Sequence, residues 1–245
     1  MALTDDQWVV VSGAGGALGS ALALHFASQG RRVLGLDRTF DAAAPAPGIT
    51  ARTVDLLIEE DVRQALADTI PGNDGIALLI NAVGLIWNEP VLALRGAKFV
   101  THSLESWRSV TDANLTAPFV VASQVAARMV RRGGGSIVNF SSIASEGNAG
   151  QAAYGAAKAG IEGLTRTMAK ELGPLGVRVN AVALGFIDVA TTRTAVADER
   201  LQAHAQNTPL GRLGRVEDVI GAVEFLAANT FANGTIVKLD GGLRL

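Results

Sequence analysis

Short runs of consecutive apolar residues alternate along this chain with longer stretches in which apolar positions recur every three or four residues. The short runs, rich in β-branched residues and ending near Gly or Asn, predict strands at 8–12, 32–37, 50–54, 76–81, 136–141, 178–182 and 235–239. Val9-Val10-Val11 and Leu78-Leu79-Ile80 are apolar on every residue, as strands covered on both faces of a parallel sheet require. Helices are predicted at 18–29, 60–69, 104–131, 152–172 and 216–227, with Gly30, Gly133 and Gly173 as stop signals. Right-handed crossovers between such strands give one α/β domain over residues 1–245, a doubly wound parallel sheet of about seven strands with helices on both faces. The segment 39–48, rich in Ala and Pro, reads as a surface loop, because the strand and helix rhythm resumes after it.

The first strand runs straight into Ser12-Gly13-Ala14-Gly15-Gly16-Ala17-Leu18-Gly19 and then a helix. Such a turn brings backbone N–H groups at a helix N-terminus to a pyrophosphate, which makes the fold Rossmann-type and Gly13, Gly15, Ala17, Leu18 and Gly19 candidate cofactor contacts. The second strand ends at Asp37, where a carboxylate would accept hydrogen bonds from the adenosine ribose hydroxyls and repel a 2′-phosphate by roughly 1–4 kcal/mol. NAD(H) is therefore expected over NADP(H), with Arg38 as the competing signal, since a guanidinium beside the ribose would accept that phosphate. Asp55, with Leu56 beside it, either meets the adenine edge or caps the following turn.

Composition narrows the function classes. A formal net charge of -2 without a basic run argues against nucleic acid. The acidic start of the chain is unlike a secretory signal, and no apolar run approaches membrane-spanning length, so a cytoplasmic protein is expected. Cysteine is absent, and His25, His102 and His204 are scattered without ligand spacing, so neither thiol chemistry nor a metal site is expected. His25, in an apolar helical stretch, reads as a packing residue.

Tyr154 and Lys158 stand at i and i+4 of one helix, so both project from one face. A fixed ammonium beside a phenol favours the phenolate and makes a tuned acid/base. Together with the glycine turn, Asp37, Asn81-Ala82, Asn114, Ser141-Ser142, Arg178-Val179-Asn180-Ala181 and Asp240-Gly241-Gly242, the pair makes the chain resemble the short-chain dehydrogenase/reductase family from Trp8 to Gly242. The resemblance implies that Tyr154 exchanges a proton with the substrate oxygen, that Lys158 holds the nicotinamide ribose, and that a serine steadies the carbonyl. Asn114 would complete a proton relay. Pro118 offers no N–H to the Asn114 carbonyl four residues earlier, so that carbonyl is expected at a helix distortion, free to hold a water that links Lys158 to solvent. Strand register puts the family's serine at Ser142, whereas counting back from Tyr154 selects Ser141; Ser142 is the expected one. Ala17 replaces the middle glycine of the phosphate turn. Asn81, Ala82 and Val83 form a variant of the signature after the fourth strand. Leu184 and Val189 stand where the family has proline and threonine around Gly185-Phe186-Ile187. Gly185 and Ile187 are still expected at the nicotinamide, with Thr191 or Thr192 replacing the missing hydroxyl.

The segment 85–103, with Trp87, Arg95, Lys98 and His102, is expected beside the substrate mouth, Arg95 and Lys98 being either anion ligands or solvated loop charges. The segment 186–208 is expected to cover the substrate, with Thr191, Thr192, Arg193 and Thr194 offering polar contacts. Three functions fit. The first is an NAD-dependent oxidoreductase on a small secondary alcohol or ketone, and the second an NADPH-dependent 3-oxoacyl-carrier-protein reductase. The third is a dinucleotide-binding protein without turnover. The resemblance implies a homotetramer or homodimer, formed through apolar helix exteriors such as 120–130 and the terminal Leu243, Arg244 and Leu245.

Overall fold

The computed structural model describes residues 7–40, 46–195 and 197–243. Most of the acidic start, the centre of the 39–48 loop and the last two residues assigned above to self-association lie outside the described residues.

The chain runs β1 (Trp8–Ser12), α1 (Ala17–Ser28), β2 (Arg32–Asp37), β3 (Ile49–Thr53), α2 (Glu59–Thr69), β4 (Ile76–Asn81) and then a hairpin, β5 (Leu92–Arg95) and β6 (Lys98–Thr101). It continues with α3 (Leu104–Thr111), α4 (Ala117–Arg131), β7 (Gly135–Ser142), α5 (Ala152–Leu172), β8 (Val177–Leu184), α6 (Ala190–Ala195), α7 (Asp198–Asn207), α8 (Val216–Ala228) and β9 (Ile236–Leu239). Among the described residues, seven strands form one parallel sheet in the order β3-β2-β1-β4-β7-β8-β9. Strand order reverses direction at β1 and β4, and the crevice beyond their C-terminal ends is where such sheets bind ligands.

The apolar runs explain the layering. Val10 points into the core shared with α2, α4 and α5, while Val9 and Val11 point into the core shared with α1 and α8. In β4, Leu79 likewise enters the first core and Leu78 and Ile80 the second. All of these are fully buried, each contributing roughly 1.5–3 kcal/mol of transfer free energy. Across the sheet runs a chain of buried polar groups. Ser12 Oγ donates to Asn81 Oδ1 (2.9 Å), Asn81 Nδ2 to Asn139 Oδ1 (2.8 Å), and Asn139 Nδ2 to Thr165 Oγ1 (2.9 Å).

The structure corrects one expectation from the sequence and adds detail to two others. The helix predicted at 104–131 is two helices separated by a wider turn of π geometry at Asp112–Thr116, just ahead of Pro118, where the ordinary hydrogen bond to Asn114 has no donor. The 85–103 segment holds a hairpin, closed by Gly96 at φ +61, the positive value that the first position of a type II′ turn demands. His25 packs edge-on against Phe26, ring centroids 5.2 Å apart, and also has a polar partner: its Nε2 lies 2.8 Å from Glu224 Oε1 and ties α1 to α8.

Candidate active site

Two cavities meet along the C-terminal ends of β1 and β4. One, of about 530 Å³, is lined by Gly13, Gly15, Asp37, Arg38, Asp55 and Leu56. The other, of about 470 Å³, is lined by Ala17, Leu18, Gly19, Asn114, Ser142, Tyr154, Lys158, Gly185 and Ile187. Gly16, Ala82, Val83, Gly84 and Leu85 belong to both. Gly16 is also the N-cap of α1, a helix start with no capping side chain and no acidic residue in its first turn. The unsatisfied N–H groups there favour an anion where the cavities join. The groove therefore fits a dinucleotide whose pyrophosphate lies at α1 and whose two ends fill the two cavities.

Steric contacts account for the glycines. At Gly13 (φ +74) a Cβ would lie 2.5 Å from the Val83 nitrogen, and at Gly19 one would lie 2.0 Å from the Gly13 carbonyl oxygen. Gly15 passes close under the loop after β2, where a Cβ would lie 2.0 Å from the Thr39 oxygen. Asp37 Oδ2 accepts the Gly15 N–H at 2.9 Å and Oδ1 the Arg38 N–H at 2.7 Å, which aims the carboxylate at the groove. Asp55 both lines that cavity and accepts the Leu57 N–H at 3.0 Å. Asn81, expected from its place in the motif both to tie neighbouring strands and to meet the cofactor, does the first: it is buried with its amide committed to Ser12, Asn139 and the Pro118 carbonyl and lines neither cavity.

At the far end, Tyr154 and Lys158 share the face of α5 that meets the end of β7. Lys158 Nζ donates to the Phe140 carbonyl (2.9 Å), and burial lowers its ammonium to about 8. Burial raises the Tyr154 phenol above its ordinary value, and a hydrogen bond with Ser142 opposes the rise. The lysine was expected to draw the phenol down; instead desolvation dominates, and the opposing contribution comes from Ser142. The pleat of β7 separates the two serines. Ser142 faces Tyr154, while Ser141 is buried against the Lys158 carbonyl and Glu162, both at 3.1 Å. Asn114 donates through Nδ2 to the carbonyls of Leu85 (2.8 Å) and Val110 (2.9 Å). A side chain at Gly84 would meet both Asn114 Oδ1 (2.9 Å) and Lys158 Nζ (3.6 Å), so these two groups flank one point.

The walls are mainly apolar: Leu85, Ile86, Trp87, Leu184, Ile187 and Val189. Thr192, buried, lines the cavity, and the Thr191 side chain lies outside the described residues. Arg193 turns away to Asp188 (2.7 and 2.9 Å). Arg95 and Lys98 sit at the exposed hairpin turn and line neither cavity, which makes them solvated loop charges rather than anion ligands of the site. Asn148 and Gln151 also border Ser142 and Tyr154, and the only sign of this in the sequence is their position just before the Tyr154 helix. Among the described residues no cluster of His, Asp or Glu could hold a metal ion, and no helix is long and apolar enough to cross a membrane.

Comparison with known proteins agrees with this geometry. A family described as enoyl-(acyl carrier protein) reductase matches residues 13–244. The short-chain reductase protein NovJ of Streptomyces niveus is 33% identical over 99% of this chain and 95% of its own. The 3-oxoacyl-[acyl-carrier-protein] reductase FabG of Aquifex aeolicus is 35% identical over 96% of each. The structure of Thermoplasma acidophilum aldohexose dehydrogenase superposes with a TM-score of 0.84 at 27% identity, covering 97% of this chain and 94% of that one. The protein belongs to the short-chain dehydrogenase/reductase family, oxidoreductases that move hydride between a nicotinamide cofactor and a hydroxyl or carbonyl carbon.

Proposed function

We propose that this enzyme uses NAD(H) to interconvert an uncharged, largely apolar ketone and its secondary alcohol. The observation that carries this reading is the convergence of Ser142, Tyr154 and Lys158 in one apolar cavity that opens into the Asp37 groove. Among the described residues, Lys158 is the only charged side chain in the lining around Tyr154, which favours a neutral substrate over a sugar acid. When bound, the reduced nicotinamide supplies the hydride to the substrate carbonyl carbon. Tyr154, a phenol that is protonated at pH 7 and that burial pushes further toward its neutral form, donates its proton to the carbonyl oxygen. Ser142 hydrogen-bonds the same oxygen. Lys158 holds the nicotinamide ribose with the N–H groups that Phe140 leaves over, and returns a proton to Tyr154. Asn114, beside Lys158, connects that proton path to water.

A second reading is reduction of a 3-oxoacyl chain on a carrier protein with NADPH, supported by the FabG relative and by Arg38 in the adenosine cavity. Fluorescence titration with NADH and NADPH at fixed salt separates the two. Preference for NADH, with turnover of ethyl acetoacetate and no turnover of keto-gluconates, supports the first reading; preference for NADPH overturns it in favour of the second. Self-association is part of the proposal, supported by Phe119, half exposed on the outer face of α4, and is tested by light scattering.

A further inference from the structure

Glu162 continues the spacing of the active-site helix: Tyr154, Lys158 and Glu162 stand at i, i+4 and i+8 of α5, on one face. Its carboxylate is divided between two tasks. Oε2 pairs with Arg166 (3.2 Å), on the same helix. Oε1 accepts from the hydroxyls of Ser141 (3.1 Å) and Ser145 (2.7 Å). Those two serines flank Ser142. Ser141 precedes it at the end of β7, and Ser145 lies in the 3₁₀ turn Ile143–Glu146 that follows. The Ser141 proton is shared, since the Lys158 carbonyl lies at the same distance. Ser142 Oγ itself accepts the Ala144 N–H (3.2 Å) at the head of that turn, which leaves its own proton for Tyr154. One carboxylate thus fastens both flanks of Ser142 to the helix that carries Tyr154 and Lys158.

We infer that Glu162 is a positioning residue which holds Ser142 against Tyr154 by clamping Ser141 and Ser145 to α5. This rests on the proposed role of Ser142 in carbonyl reduction. Its carboxylate accepts at one oxygen from two neutral hydroxyls, a charge-assisted arrangement stronger than a neutral acceptor would give. Without it, the turn after β7 loses the Ser145 hydrogen bond to α5 and Ser141 keeps only the Lys158 carbonyl, while Lys158 keeps its own bond to Phe140 and the cofactor groove keeps its walls.

The test is a double-mutant cycle on the intact enzyme, with NADH and ethyl acetoacetate as the assay pair. Glu162→Ala is expected to lower kcat roughly tenfold while the NADH dissociation constant stays within about twofold, and to lower it less than about twofold when Ser142 is already alanine. Ser145→Ala, which removes one donor at a partly exposed position, keeps the test open if Glu162→Ala folds poorly; a loss of about threefold, again absent beside Ser142→Ala, is expected. Equal losses in both backgrounds, or no loss in either, would overturn the inference, because Glu162 would then not act through Ser142. If Ser142→Ala alone leaves kcat unchanged, the role given to the serine fails first and this inference with it. A different result, Ser142→Ala slow and Glu162→Ala and Ser145→Ala normal, leaves the serine's role standing and removes the clamp.

Discussion

Lys158 stands one helical turn beyond Tyr154 and sets its ammonium nitrogen 5.6 Å from the centre of the phenol ring. Lys158 is buried and Tyr154 half-buried, and each is pushed toward its neutral form, the phenol upward and the ammonium down to about 8. The site holds two desolvated proton carriers in reserve, and the following outcomes depend on that or on the groove beside them.

Lys158 should destabilise the fold it sits in. Below about pH 8 it is charged both folded and unfolded, and the desolvation cost is fully present. Between about 8 and its ordinary value of 10.5 the unfolded chain binds a proton that the folded chain has released, so the wild-type protein gains stability as pH rises through that window. Lys158→Met should therefore be more stable by about 2 kcal/mol at pH 7, the loss of the Phe140 hydrogen bond offsetting part of the gain, and should lose most of that advantage by about pH 10. Urea melts at both pH values check this; a pH-independent difference would refute it. The same variant should be inactive.

Tyr154→Phe keeps the ring and removes the proton. Turnover should fall by about 10²–10⁴ with NADH affinity unchanged within about twofold. A comparable fall in cofactor binding would mean that the phenol holds the cofactor instead of serving the substrate. Steady-state rates and fluorescence titration on one preparation give both numbers.

Asp37→Ser should raise the NADPH/NADH preference by about tenfold or more, because a carboxylate beside a 2′-phosphate costs roughly 1–4 kcal/mol. Affinity for NADH should fall as well, since the same carboxylate accepts the Gly15 N–H and orders the turn. An unchanged preference ratio would show that Arg38 governs the choice.

Two glycines should answer alanine in opposite ways. Gly13 has φ +74 and its Cβ would press on the Val83 backbone at 2.5 Å, so Gly13→Ala should cost about 2 kcal/mol or more and weaken cofactor binding. Gly163, exposed on α5 with nothing within 4 Å, should tolerate Gly163→Ala with a gain of about 0.5–1 kcal/mol. Thermal melts with and without NADH separate the two effects.

Much of this architecture was readable from apolar spacing because buried parallel strands leave an unambiguous mark: the unbroken Val9-Val10-Val11 run has no other economical explanation. The Tyr154/Lys158 pair was readable because helical spacing carries its own geometry. The hairpin was not, because the strands Leu92–Arg95 and Lys98–Thr101 are only four residues each and carry Leu92, Leu94, Phe99 and Val100 in exposed positions, so burial imposes no alternation on them. The choice between Ser141 and Ser142 turned on which hydroxyl reaches Tyr154 and which is taken up by the Lys158 carbonyl and Glu162, a tertiary fact that residue counting could not supply. Glu162 stayed hidden for the same reason, although its i+4 spacing from Lys158 was a visible hint.

The buried chain from Ser12 through Asn81 and Asn139 to Thr165 bears on how the sheet finds a single arrangement. An all-apolar interior would tolerate a slide of β4 against β1 or β7 by two residues, since the pleat returns valine and isoleucine to the same side. The amides do not. Sliding any one strand leaves a desolvated donor or acceptor without its mate, at about 1–3 kcal/mol for each group. Since the last link is on α5, the chain closes only when that helix has docked, so the alignment that puts Asn81 beside Asn139 is rewarded in full at the moment Tyr154 and Lys158 reach the end of β7. Strand alignment and assembly of the catalytic helix are thereby one event rather than two.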